Sequence, residues 1–349
     1  MSTAQAGIPR PFDGDAFPRR IVALGGGTGM PSVLRGLRPH VTRGCISSLT
    51  GIVTMTDDGG SSGRLRRTRG LPPPGDIRNC LVALSPDEDL LAGLFQHRYN
   101  GSEEIGGHTV GNLILAALAE QTGSFLKAVE VSSRVLRVTG TILPATSDDV
   151  VLEAILEDGT AISGETAIAA CEQQIRRIGL RPGGAKATAG VVEAILSAEL
   201  VVIGPGSLYT SLVPNVVIAD IGAALRETAA LVVLVANIVS ERGEAAGLNL
   251  SDHIQVLQEH AGGPFLDAAL IHDGPIDAEV LARYRAEGAV PLRCSDEVEQ
   301  GVRILRKNLI GGGPKLRHDP EATCRSLFEL WSERSKDIGL HARGVAGRL

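Results

Sequence analysis

The chain alternates between short apolar runs and longer stretches with helical spacing. Arg20 to Leu24 is a continuous apolar run closed by Gly25-Gly26-Gly27-Thr28-Gly29, and Met30 to Leu37 then reads as a helix with Pro31 in its first turn. Cys45 to Met55 forms the next apolar run. Helical spacing resumes at Pro86 to Arg98, His108 to Glu120 and Ser124 to Arg137. Gly59 to Asn79 reads as a long loop whose second half is stiffened by Pro72-Pro73-Pro74, and loops of that length usually carry function.

Between Val138 and Leu180 the pattern becomes short and alternating: Val150 to Leu156, Thr160 to Ile162 and Ile175 to Leu180, separated by Asp158-Gly159 and Ser163-Gly164. These are hairpin signals. From Ala185 the α/β alternation returns, with a helix to Ala198, a strand at Leu200 to Ile203, a helix at Val216 to Glu227 and a strand at Leu231 to Ala236. A helix at Leu250 to His260, a strand at Ala268 to Ile271 and a helix at Asp277 to Glu287 follow. The expected fold is α/β: a Rossmann-like, mostly parallel sheet with helices on both faces and extra short strands in the middle of the chain. Without an internal repeat or long linker, residues 19–335 read as one domain between a disordered tail at 1–18 and a second tail at 336–349.

Composition narrows the chemistry. The 349 residues include 43 glycines, well above the roughly 7% of average proteins, while aromatics make up 3%. Backbone turns rather than aromatic walls should therefore shape a site. A net charge of −6 excludes nucleic acid as the default partner, since a polyanion needs a positive field. Five scattered cysteines without a Cys-x-x-Cys pair fit a reducing compartment and neither a disulfide framework nor zinc. No apolar run reaches the ~20 residues of a spanning helix, and the N-terminus lacks the order of a signal peptide, so the expectation is a cytoplasmic protein without membrane insertion.

Three glycine turns close apolar strands: Gly25 to Gly29, Thr56-Asp57-Asp58-Gly59-Gly60-Ser61-Ser62-Gly63-Arg64, and Gly204-Pro205-Gly206-Ser207-Leu208-Tyr209-Thr210-Ser211. Glycine lets backbone amides approach a phosphate, and a following helix adds its positive end. Gly26, Gly27, Thr28 and Gly29, then Gly204, Gly206, Ser207, Tyr209 and Thr210, with Asn237 at a neighbouring strand end, are therefore candidate ligand contacts. The first turn matches a dinucleotide fingerprint only in part, because Met30 stands at its third glycine position. No Gly-x-x-x-x-Gly-Lys-Ser/Thr is present, which disfavours a P-loop.

Asp57 and Asp58 are candidate ligands for a hard cation such as Mg²⁺. Asp76, Arg78 and Asn79 across the proline-stiffened loop extend that set, with Ser61, Ser62 and Arg64 for phosphate. His108 and Asn112, behind Gly106-Gly107 at a helix start, add an anion position. Gly59-Gly60-Ser61-Ser62-Gly63 also fits the Gly-x-Ser-x-Gly elbow of esterases, but the elbow needs a helix immediately afterwards, and the pattern predicts none there.

Together with Pro74-Gly75-Asp76-Ile77-Arg78-Asn79, these motifs in this order resemble the YvcK-type gluconeogenesis factors, relatives of the 2-phospho-L-lactate transferase (CofD) fold. The likeness runs from about Arg20 to Leu330. It implies a cytoplasmic factor needed for cell shape and for growth on gluconeogenic carbon, which binds UDP-sugars such as UDP-N-acetylglucosamine and reports to a cell-wall regulatory protein partner. It places two UDP-sugar contacts on Tyr284 and Arg317. The alternative implied by the CofD relatives is a Mg²⁺-dependent transferase moving a phosphate-linked group from a nucleotide donor. Asp57, Asp58 and Asp76 would then serve catalysis, and Arg64 and Arg78 would balance phosphate charge. Homo-oligomerisation is compatible with either reading.

Overall fold

The computed structural model of the chain describes residues 17–346 except Thr28, 87–89, 102–104, 241–242, 295 and 314, with side chains to residue 336. Eleven strands are present among these residues. They are β1 (Arg20–Gly25), β2 (Ser48–Val53), β3 (Thr141–Pro144), β4 (Val151–Leu156), β5 (Ala161–Ser163) and β6 (Ile175–Arg181). The second half adds β7 (Leu200–Ile203), β8 (Leu231–Val235), β9 (Ala268–His272), β10 (Val298–Glu299) and β11 (Val302–Lys307).

Eight strands form one sheet in the order β10-β11-β9-β8-β7-β1-β2-β3. Only β10 runs antiparallel to its neighbour. The central strands are apolar runs because both faces are covered: β7, β8 and β9 are buried at every position. In β1, Val22 and Leu24 face one core with Ile203 and Leu208. Ile21 and Ala23 face the other with Met30 and Leu34. The predicted hairpins form a separate antiparallel sheet, β5-β4-β6, in which Leu152, Ala154 and Leu156 alternate onto the first core.

Several expectations need correction. The loop at Gly59 to Asn79 is two helices, Gly60–Arg69 and Gly75–Leu84. The first contains a single large apolar residue, Leu65, so periodicity carried no signal; it is held by burial of Ser61, Ser62, Gly63 and Leu65 and stopped by Gly70 at φ 64°. The helix expected at Pro86 to Arg98 shortens to Leu91–Gln96. β3, β10 and β11 had no separate prediction.

The boundary expected at residue 335 falls inside a helix, Pro320–Ala346, which continues through residues 336–346. At the other end Phe17 packs edge-on against Phe328, with ring centroids 5.2 Å apart, which ties part of the expected N-terminal tail to the domain. The rest of that tail, residues 1–16, and residues 347–349 lie outside the described residues. Among the described residues no single helix is long and apolar enough to cross a membrane.

Candidate functional site

The strand order reverses beside β1: the chain leaves β1 for β2 and β3 on one side, then returns to place β7 on the other. Ligands in open α/β sheets collect outside the carboxyl ends of strands at such a point. The first and third glycine turns are the carboxyl ends of β1 and β7, and they line a common cavity of about 880 Å³. Their closeness is what glycine provides here. A Cβ on Gly29 would stand 2.2 Å from the Pro205 carbonyl oxygen, and one on Gly26 would stand 2.3 Å from Thr54 Cγ2, just past the end of the neighbouring β2.

Gly27, Gly29, Gly206, Ser207 and Asn237 all line this cavity. Gly204 lies at the strand end behind them, its amide bonded to Leu24 O. Asn237 fixes the third turn, accepting from Gly206 N (3.2 Å) and donating to Gly206 O (3.1 Å). The Gly27 amide is already engaged, donating to Asp76 Oδ2 at 2.6 Å. The helix Met30–Thr42 begins at this edge with, among the described residues, no side chain capping it, and its N-terminus carries partial positive charge toward the cavity. Thr28 lies outside the described residues.

Across the cavity stand Tyr284 and Arg317. Tyr284 Oη accepts from Leu316 N at 3.1 Å, which ties the helix Ala278–Ala286 to the loop that presents Arg317. Arg35, from the second turn of the first helix, adds another cation to the lining. His318 lies on the floor and its Nε2–H donates to Ala236 O at 3.0 Å. Burial pulls its pKa down to about 4, so it is neutral at physiological pH.

The acidic wall comes from Glu165 and Glu244. Glu244 Oε1 accepts from Tyr209 N (3.2 Å) and Thr210 Oγ1 (3.3 Å). Among the described residues Glu165 Oε2 is buried without a hydrogen-bond partner. Burial, then the charges of Asp57, Asp76, Asp58 and Glu244, push Glu165 up to about 9. It is therefore a neutral acid at pH 7, able to donate a hydrogen bond into the cavity.

The adjacent aspartates diverge. Asp57 Oδ1 accepts from Gly59 N at 2.9 Å, and its Oδ2 lies toward Gly75. Asp58 Oδ1 instead accepts from Thr166 N (2.9 Å) and Thr166 Oγ1 (2.6 Å). Asp58 thus braces the short helix Glu165–Ala169 that follows β5, while Asp57 turns to Gly59 and Gly75. Asp76 is the carboxylate coupled to Asp57: burial, partly offset by the Gly27 hydrogen bond and reinforced by Asp57, raises it to about 6. Among the described residues no group of three or more His, Cys, Asp or Glu is arranged to hold a metal ion. Asp57 with Asp76 does fit the one or two carboxylates through which Mg²⁺ commonly binds alongside phosphates and water.

A second cluster lies outside the cavity lining. Arg78 Nη1 donates to Thr109 Oγ1 (2.6 Å) and to Asn112 Oδ1 (2.9 Å). This turns Asn112 Nδ2 toward Ser61 Oγ (3.0 Å), and Ser61 Oγ and His108 Nδ1 share a hydrogen bond of 2.8 Å. Arg78 Nη2 also reaches Asn79 Oδ1 at 2.7 Å. Ser62 faces the other way, accepting from Gly75 N at 3.1 Å. A helix does follow Gly59, contrary to the sequence argument against an esterase elbow. Even so, Ser61 is only 5% exposed, and six residues separate the end of β2 from that helix, so the sharp turn that exposes an elbow serine is missing.

Tyr209 offers no ring to the cavity. It is 4% exposed in the core, with its hydroxyl donating to Ile175 O at 3.4 Å, and Thr210 is occupied with Glu244. Glu165, Glu244, Arg35 and His318 went unnoticed in the sequence. Glu165 follows the Ser163-Gly164 turn of the small sheet, and nothing local announces that this sheet reaches the cavity.

The CofD family profile, described as 2-phospho-L-lactate transferase CofD, matches residues 21–310. A gluconeogenesis factor of Halalkalibacterium halodurans is 43% identical over 78% of this chain and 84% of its own length. That of Bacillus subtilis is 40% identical over 90% of this chain and 98% of its own. A crystal structure of a Bacillus halodurans protein superposes with a TM-score of 0.83 at 39% identity, covering 89% of this chain and 99% of that one. A profile spanning most of the domain, full-length relatives at about 40% identity and a shared three-dimensional fold agree: this chain belongs to the CofD family, among its gluconeogenesis factors.

Proposed function

We propose that this chain is a cytoplasmic UDP-sugar-binding factor, with UDP-N-acetylglucosamine as the reference ligand, acting as a regulator of cell morphology and of growth under gluconeogenic conditions. The observation that carries this reading is the cavity at the strand-order reversal, where two glycine turns face Tyr284 and Arg317. Its volume of about 880 Å³ suits a ligand the size of a nucleotide sugar. A diphosphate would lie against the start of the first helix and the Arg317 guanidinium. The Tyr284 ring, held by its bond to Leu316 N, is available to stack on uracil or sugar. Protonated Glu165 would donate to a sugar or phosphate oxygen. The names of the relatives support the gluconeogenic part of this reading; the proposed partner that responds to occupancy is a cell-wall regulatory protein.

Calorimetric titration with UDP-N-acetylglucosamine, followed by chromatography of the recovered ligand, tests the reading. Saturable binding, weakened at least about tenfold by Arg317→Ala with the ligand unchanged, is expected. Binding of equal strength in the double variant Tyr284→Ala, Arg317→Ala would remove the ligand from this cavity.

A second reading, a Mg²⁺-dependent transferase, draws on the CofD profile and on the Asp57–Asp76 pair. These two carboxylates would hold the ion, which supplies charge neutralisation on a transferring phosphate. Arg78, anchored beside Asp76, would steady the same group. Conversion of a labelled nucleotide donor that depends on Mg²⁺ and is abolished by Asp76→Asn would favour it over the regulator.

A further inference from the structure

The cavity has a basic end and an acidic end. Among the described residues the cations that line it are Arg35 and Arg317, and they stand together. A Cβ on Gly36, next to Arg35, would lie 2.2 Å from Pro320 O, so the loop that carries Arg317 packs on the first helix. Tyr284 joins this end through its bond to Leu316 N. Glu287 also lines the cavity beside Tyr284, but it is exposed to solvent and its charge is screened. Tyr284 and Arg317 follow β9 and β11, on one side of the glycine turns that close β7 and β1 in the sheet order.

The acidic end lies on the other side of those turns, where the chain leaves β2. Asp58 holds the short helix Glu165–Ala169 there through Thr166 N and Thr166 Oγ1. The contact is close: a Cβ on Gly164 would stand 2.4 Å from Asp58 Oδ2. Glu165 and Ala169, one helical turn apart on the same face, both line the cavity. The charges acting on Glu165 are those of Asp57, Asp76, Asp58 and Glu244, every one a carboxylate. Neither lining arginine is among them.

A UDP-sugar carries its diphosphate between base and sugar. With the uracil on Tyr284 and the diphosphate at Arg317 and the glycine turns, the sugar extends past the turns and meets Glu165. We infer that Glu165 and the carboxylates behind it select the sugar: the cavity takes a neutral glycosyl group, one of whose oxygens accepts from the Glu165 carboxyl, and excludes a glycosyl group that bears a carboxylate. This selection rests on the UDP-sugar reading above and adds the class of sugar to it. Burial and like charge keep the Glu165 carboxyl protonated at pH 7, so its Oε2, without a partner among the described residues, has a hydrogen bond to give. An acidic sugar would add a further carboxylate to a place where one is already forced neutral, with no counter-ion beside it. Selection of this kind works through the repulsive element.

The test titrates the full-length protein at pH 7 with UDP-glucose and with UDP-glucuronate, which differ only in a hydroxymethyl against a carboxylate on the sugar. UDP-glucose should bind at least about tenfold tighter. Glu165→Ala should weaken UDP-glucose by about tenfold, and Glu165→Gln by less because the amide still donates. Ala169→Lys, at an exposed lining position, supplies the missing counter-ion and should narrow the preference to about threefold or reverse it. Arg317→Ala should weaken both nucleotides and leave their ratio unchanged. Equal affinity for the two nucleotides in the wild type, the same ratio in Ala169→Lys, or full UDP-glucose affinity in Glu165→Ala overturns the selection while leaving the UDP-sugar reading in place. Absence of binding by either nucleotide overturns that reading and the selection with it.

Discussion

Gly29→Ala sets two physical effects against each other at the edge of the cavity. Gly29 has φ −78° and ψ −56°, a conformation alanine prefers. On backbone grounds alone the substitution should stabilise by roughly 0.5–1 kcal/mol. The new Cβ would stand 2.2 Å from Pro205 O and 2.7 Å from Pro205 C. Both are backbone atoms of the facing turn, so no side chain can rotate away. Reaching ordinary contact at 3.4 Å requires the turns after β1 and β7 to part by about 1.2 Å, the difference between 3.4 and 2.2 Å. Overpacking of that kind costs about 1–3 kcal/mol, so net destabilisation of roughly 0.5–2 kcal/mol is expected. A diphosphate bridging the two turns would lose geometry on one side, weakening UDP-N-acetylglucosamine by about tenfold. Urea unfolding and calorimetry, with Gly93→Ala as the control, make the comparison. Gly93 is exposed, with nothing within 4 Å of its missing Cβ, and its alanine variant should gain stability. A Gly29→Ala protein as stable as that control, with unchanged affinity, would refute the close approach of the turns and the placement of the ligand between them.

Tyr209→Phe removes one long hydrogen bond to Ile175 O and should cost under ~1.5 kcal/mol in urea, with UDP-sugar affinity unchanged; a loss of affinity would return Tyr209 to the site. Asp58→Ala releases both Thr166 bonds, and proteolysis between residues 157 and 175 should become faster while the rest of the chain stays protected. Glu165 has its folded pKa raised to about 9 from 4.5, so its contribution to stability is fully present below pH 4.5 and is lost as pH rises toward 9. Wild type should therefore fall behind Glu165→Gln across that window, by up to about 1.4 kcal/mol per pH unit. Parallel pH profiles of the two proteins would show that Glu165 ionises normally.

What the sequence disclosed followed from period and punctuation. Unbroken apolar runs as short and β-branched as Leu200–Ile203 and Leu231–Val235 read as strands covered on both faces, and glycine turns at their ends marked the place where the strand order reverses. The helix Gly60–Arg69 stayed hidden because its sequence is polar and glycine-rich, and only tertiary burial makes it form. The divergence of Asp57 and Asp58 was equally hidden. Adjacent residues point to different surroundings, and Thr166, which claims Asp58, lies 108 positions away. Tyr209 was misplaced for a related reason: its motif is at the cavity, but the ring turns inward beneath Glu244 and against the small sheet. Glu165 enters the cavity from the short helix Glu165–Ala169 that follows β5, and no local pattern predicts its docking.

A crystal structure of the protein grown with UDP-N-acetylglucosamine tests the central claim most directly. The account predicts the diphosphate between the Gly29 and Gly206 turns, within hydrogen-bond distance of Arg317, with the uracil or sugar ring against Tyr284. A ligand bound away from Arg317 and Tyr284, or an empty cavity at saturating concentration, would contradict it.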